Sequence, residues 1–162
     1  MSKKKNITTN AVRIIKTYDI PFETIEYDID EVGENFGVKI AELTGMPCEM
    51  CFKTIVAKGK EIFVFCLPVN KELDLKKAAE ISGNKKIEML HTKDLLMVTG
   101  YVRGGVSPIG MKKKYQTFID ESCRDYERIT VSGGVCGLSV MLSPFDLIKI
   151  TDASVAKIVK EN

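Results

Sequence analysis

The chain has a single histidine, His91, and that scarcity sets the first limit on its chemistry. A Ser-His or Cys-His catalytic pair would have to use it, yet it stands in a polar connector beside Thr92. Metal ligands are equally thin. Cys48-x-x-Cys51 has the spacing of a zinc or redox motif. No second CxxC or histidine pair supplies the other ligands that a structural zinc needs. A thioredoxin-type motif sits between a strand and a helix N-terminus, whereas Phe52 begins a strand, so the pair reads as incidental. Walker loops and dinucleotide fingerprints are missing too. No cofactor and no metal is expected. Nor is there an apolar run able to span a bilayer, or a signal-peptide pattern, so the chain reads as cytoplasmic with no membrane partner. The five cysteines (48, 51, 66, 123 and 136) are odd in number and read as reduced thiols, not as a disulfide framework. A net charge of +2 is too small to argue for nucleic acid by itself. Any basic footprint must be local: Lys3–Lys5, Lys76-Lys77, Lys85-Lys86 or Lys112–Lys114.

What is present suits one globular domain. With 162 residues, 44% of them apolar, the chain can bury a real core. Residues 1–7 read as a flexible N-terminus and 8–162 as the domain. Thr8 or Thr9 can cap a first helix carrying Val12, Ile14, Ile15 and Tyr18, which Pro21 cannot continue. Phe22 to Ile29 alternates as a strand. Val38 to Leu43 predicts a short helix stopped by Gly45. Phe52–Ala57 and Glu61–Pro68 predict a hairpin turning at Gly59, apolar enough for a central position. Asp74 opens a helix closed by Gly83, Ile87–Met89 is a short strand, and Thr92 caps a helix ended by Gly100. Strands are expected at Gln116–Ile119, Arg128–Ser132 and Leu138–Leu142. Ser143-Pro144 with Asp146 starts a helix. Asp152 can cap a final helix carrying Val155, Ile158 and Val159. Interleaved strands and helices with hairpins imply a mixed sheet in an α/β domain.

Two stretches invite chemistry. The first is the loop GYVRGGVSPIGMKKK from Gly100 to Lys114. Its glycine pair, Gly104 and Gly105, allows close backbone approach, Ser107-Pro108 stiffens it, and cations follow. Anions, carbonyls and nucleic-acid ends suit such a loop, although a plain turn would have the same composition. The second is Lys53, at the start of a buried strand. Its ammonium must snorkel to water, find a partner or lose its proton. Lys53 beside the glycine loop would make a pocket of one cation and several amides, able to polarise an ester carbonyl or orient a terminal ribose. No protein nucleophile is evident there.

These motifs together resemble the YbaK/EbsC family of trans-editing aminoacyl-tRNA deacylases, related to the editing domain of bacterial prolyl-tRNA synthetase. The resemblance rests on Phe52-Lys53-Thr54, the glycine loop, VSGG followed by GL, and Ser-Pro-x-Asp-Leu. It runs over roughly residues 8–160. It implies a single domain with a mixed, strongly curved, barrel-like sheet flanked by helices. It also implies removal of cysteine from mischarged Cys-tRNA(Pro), with another small amino acid such as alanine as the nearest alternative. A non-catalytic tRNA- or synthetase-binding module is a further alternative. By resemblance the central lysine falls on Lys53, with Thr54 beside it. The pocket aromatics fall on Tyr27 and Phe36, the glycine loop on Gly104, Gly105, Ser107 and Pro108, and the hairpin serine on Ser132. Gly104 and Gly105 amides are expected to face the substrate carbonyl. The expected partners are the 3′ end of charged tRNA(Pro) and prolyl-tRNA synthetase. One departure stands out: after VSGG the family often carries a basic pair, and this chain has Val135-Cys136, which removes two possible phosphate contacts.

Overall fold

The structure, a computed structural model, describes residues 8–30 and 32–161; the expected flexible terminus at 1–7 lies outside them. The local signals place most elements. Helix α1 spans Asn10–Thr17, and its N-cap Thr9 accepts a hydrogen bond from Val12 N. Strand β1 (Phe22–Glu26) follows, shorter than the alternation suggested. Helix α2 (Phe36–Thr44) ends at Gly45, whose φ of 70° lies in the left-handed region that glycine adopts without strain. The hairpin forms as β2 (Phe52–Lys58) and β3 (Ile62–Pro68). Helix α3 (Leu75–Ile81) is capped by Asp74, and β4 is only Glu88–Met89. Helix α4 (Leu95–Thr99) and β5 (Gln116–Asp120) flank the glycine loop. Strands β6 (Ile129–Ser132) and β7 (Leu138–Leu142) lead to helix α5 (Pro144–Thr151), capped by Ser143.

Two expectations fail. Thr92 is no side-chain cap; it opens a single 3-10 turn, Thr92–Asp94, ahead of α4, and neither terminus there has a side-chain cap. Among the described residues no helix follows α5. Asp152 takes φ 57° and terminates α5, and Ser154–Ala156 becomes β8. A residue in the left-handed region ends a helix instead of beginning one. Val155 then pairs with Ile119 of β5 in parallel register, a contact that suits a β-branched side chain.

The strands form two open sheets instead of a single barrel-like one. One is three-stranded and antiparallel, in the order β1-β7-β6; the other is mixed and five-stranded, in the order β4-β2-β3-β5-β8. A lone parallel bridge, Cys51 to Thr130, links β2 to β6. Strand β3 is central as expected, because its two faces enter two cores. Val64 and Cys66 pack with α1, α5 and the three-stranded sheet, around Ile15, Val140 and Leu147. Phe63, Phe65 and Leu67 pack beneath α3 with Ala78, Phe118 and Ile158. Rings of Phe65 and Phe118 stack at 5.5 Å.

Candidate functional site

The lone bridge explains where the main cavity lies. Alternate residues of an antiparallel strand turn their amide groups toward opposite edges. Leu90 N donates to Val56 O at 3.0 Å, on the β2 edge away from β3. Thr54, two residues earlier, therefore turns its N–H and C=O to that same edge. On β6, Gly133 N donates across to Leu138 O of the neighbouring chain segment at 2.8 Å. Ser132, one residue earlier, accordingly faces away from β7. The two free edges are zipped at Cys51–Thr130, and among the described residues no ladder joins them beyond it. A cavity of about 490 Å³ opens there, lined by Lys53, Thr54, Thr130 and Ser132 from the strands. Phe36, Val32 and Ile40 close it from the α2 side, Met89 and Leu90 from β4, and Arg103 and Gly104 from the glycine loop.

The cavity brings together five of the nine predicted residues: Lys53, Thr54, Phe36, Gly104 and Ser132. Gly104 has φ 90°, and a Cβ there would stand 2.7 Å from Val32 Cγ2, so glycine lets the loop lie against the opposite wall. The other four lie outside the lining. Tyr27 is buried, with its N–H on Gly137 O at 2.9 Å. Gly105 N donates to Val102 O at 2.9 Å, so that amide is already occupied and does not face a substrate. A Cβ on Gly105 would lie 2.8 Å from Val135 Cα, which makes it a packing glycine. Ser107 is fully buried and its Oγ accepts from Ile109 N at 3.2 Å. Pro108 is buried beside it. The pattern of a stiff glycine-proline loop was readable, but not which half touches the cavity.

Sequence reasoning missed Arg103 and the apolar wall of Val32, Val69, Met89 and Leu90. A cation directly before the glycine pair was the available signal for Arg103. The wall residues are scattered over the chain and had none.

Lys53 is half-buried, and burial lowers its pKa from the ordinary lysine value, with Glu72 pulling the other way. Glu72 itself accepts from Lys160 Nζ at 3.1 Å. Among the described residues Lys53 has no ion pair. A partly desolvated ammonium of this kind interacts strongly with a polarised carbonyl or an anion. The lining thiol, Cys51, is pushed up by burial, which keeps it in the weakly nucleophilic neutral form. His91 is not part of the lining. The arrangement can therefore hold and polarise a small acyl group between a cation, strand-edge amides and apolar walls, with attack left to water or the substrate.

Residues 31–150 match the profile of the aminoacyl-tRNA editing domain. The chain is 42% identical, over 98% of both sequences, to an Enterococcus faecalis protein named "Putative Cys-tRNA(Pro)/Cys-tRNA(Cys) deacylase EbsC". It is 29% identical to part of a proline–tRNA ligase of Thermosipho africanus, over 46% of this chain and 14% of that one. Among solved structures, one described as "a putative trans-editing enzyme for prolyl tRNA synthetase" superposes with a TM-score of 0.84. It covers 96% of this chain and 100% of the other at 22% identity, which speaks for the shared α/β fold.

Proposed function

The chain belongs to the aminoacyl-tRNA editing domain family, and from that premise we propose that it is a trans-acting deacylase that removes cysteine from mischarged Cys-tRNA(Pro). The observation that carries the reading is a cavity where the half-buried Lys53 meets the parted edges of β2 and β6, with no activated nucleophile among its described lining residues. A substrate that brings its own nucleophile completes such a site.

The cysteine thiol would attack its own ester carbonyl. A C–S bond forms, the bond from the carbonyl carbon to the ribose oxygen breaks, and the thiol proton ends on that oxygen. The resulting thiolactone is opened by water. Lys53 stabilises the charge that develops on the carbonyl oxygen or holds the terminal adenosine. Gly104, in the same lining, would present its amide to the same oxygen, while Thr54 and Ser132 would offer main-chain groups to the amino group and ribose. Phe36 walls the aminoacyl end. Tyr27, Gly105, Ser107 and Pro108 act from behind, by holding the walls in place.

The likeness to a proline–tRNA ligase supports prolyl-tRNA synthetase as the partner that hands over tRNA(Pro). Val135-Cys136 in the hairpin turn leaves fewer phosphate contacts there, which increases the need for such a delivery.

A pocket alone separates side chains that differ by one methylene-sized group by only about 1–3 kcal/mol; a thiol-dependent reaction separates them by mechanism. The test is deacylation of Cys-tRNA(Pro) beside Ala-tRNA(Pro). Rapid loss of cysteine alone is the expected result. Loss of alanine instead moves the specificity, and turnover of neither, with prolyl-tRNA synthetase present, sinks the enzymatic reading.

A further inference from the structure

A basic platform stands at the far end of β2 from Lys53. The hairpin turn carries Lys58-Gly59-Lys60, and the connector into β4 carries Lys85-Lys86; all four lysines are exposed. The two segments are distant in sequence but locked together. Lys60 N donates to Asn84 Oδ1 at 2.8 Å, and Asn84 Nδ2 holds Ser82 Oγ at 2.8 Å. A Cβ on Gly59 would meet Asn84 Oδ1 at 2.4 Å, so the turn lies flat on the asparagine. Lys58 pairs with Glu88 across the β2–β4 ladder. The Lys58 and Lys60 backbones are thus fixed by ladder and asparagine contacts, and all four side chains are exposed. Segments 58–61 and 84–88 hold four lysines against Glu61 and Glu88, of which Glu88 is paired with Lys86 at 3.1 Å. In a chain of net charge +2 this is a marked local excess.

Both segments lead to the cavity. β2 runs from Lys58 back to Lys53, and the connector runs on from Lys86 to Met89 and Leu90 in the cavity wall. Five residues of strand span roughly 17 Å. That is about five stacked nucleotides at about 3.4 Å each. For RNA that runs along β2 from an ester held at Lys53, the phosphates a few nucleotides upstream would fall at this end of the strand.

We propose that Lys58, Lys60, Lys85 and Lys86 form the surface that receives the RNA backbone of the substrate just upstream of its single-stranded 3′ end. The inference rests on the deacylase reading for its substrate, but its binding test does not. Unacylated tRNA(Pro) is titrated into wild-type protein and into a variant with all four lysines changed to alanine, at several salt concentrations. Each lost phosphate contact lowers the slope of log affinity against log salt by about 0.9, and KM for Cys-tRNA(Pro) rises about tenfold with kcat unchanged. The cysteinyl ester of a short single-stranded 3′ oligonucleotide, which does not reach the platform, is cleaved equally by both. Wild-type affinity and salt slope in the quadruple variant would overturn the proposal. So would the same loss of binding arising instead from Lys112→Ala, Lys113→Ala and Lys114→Ala. Absence of deacylation by the wild type contradicts the proposed function, whereas tRNA binding that depends on the four lysines supports the platform independently.

Discussion

The two halves of the glycine loop have similar compositions and opposite fates. The second half, from Ser107 to Gly110, is built into the core. Tyr101 OH donates to Ile109 O at 2.6 Å, Ser107 closes on Ile109 N, and Asn10 of α1 donates to Gly110 O at 2.6 Å. Burial pushes the Tyr101 phenol up to about 12, so it stays a neutral donor. The first half, Val102 to Gly104, has no side-chain hydrogen bond among the described residues, and Arg103 and Gly104 line the cavity. Gly105 is the pivot, pinned by backbone contact with Val135. The stiffness predicted for this loop is real, but it belongs to Ser107–Gly110, which lie outside the cavity lining. Val106 alone belongs to both, lining the cavity while it packs on the core.

Substitutions across that division should separate turnover from stability. The largest effect falls on the cavity side: Lys53→Ala should lower deacylation about 10²–10³-fold, the scale of one lost electrostatic donor, with thermal stability held. A comparable loss of stability would reassign Lys53 to packing. Gly105→Ala should cost about 1–3 kcal/mol, because the neighbour that must yield is backbone. Chemical denaturation measures this, and wild-type stability would show that the pivot is soft. Ser107→Ala should cost about 1–2 kcal/mol by leaving a buried N–H unpaired, with kcat retained. A selective loss of kcat would return Ser107 to the site.

pH sharpens the same contrast. Burial disfavours the charged form of Lys53 and lowers its pKa. If the cation acts, activity is full below that pKa. It falls as pH rises through it, before an ordinary lysine would titrate. The measurement is rate against alkaline pH, corrected for spontaneous ester hydrolysis; a flat profile up to the ordinary lysine range contradicts the assignment.

Much of the fold was legible because its signals are local. Thr9, Asp74 and Ser143 cap where expected, and Gly45, Gly83 and Gly100 take positive φ at helix ends. Asp152 misled because an aspartate can begin a helix or, in the left-handed region, end one. Only the parallel pairing of Val155 with β5 decides between them. The cavity was legible in its chemistry, through Lys53 and Gly104, but not in its walls. Its existence depends on β2 and β6 meeting at Cys51–Thr130 and then parting, a non-local event that no window of sequence contains. Tyr27 lies one residue beyond β1 and keeps the alternation expected for 22–29, buried between exposed Glu26 and Asp28; the periodicity indicated its face, not what that face meets.

The central claim is that the site supplies electrostatics and the substrate supplies the nucleophile. It is tested most directly by single-turnover deacylation of Cys-tRNA(Pro) beside the same tRNA charged with α-aminobutyrate, where a methyl group replaces the thiol at nearly the same size. The account predicts rapid loss of cysteine and persistence of aminobutyrate. Equal rates for the two would contradict it and require water, or a group on the protein, to attack.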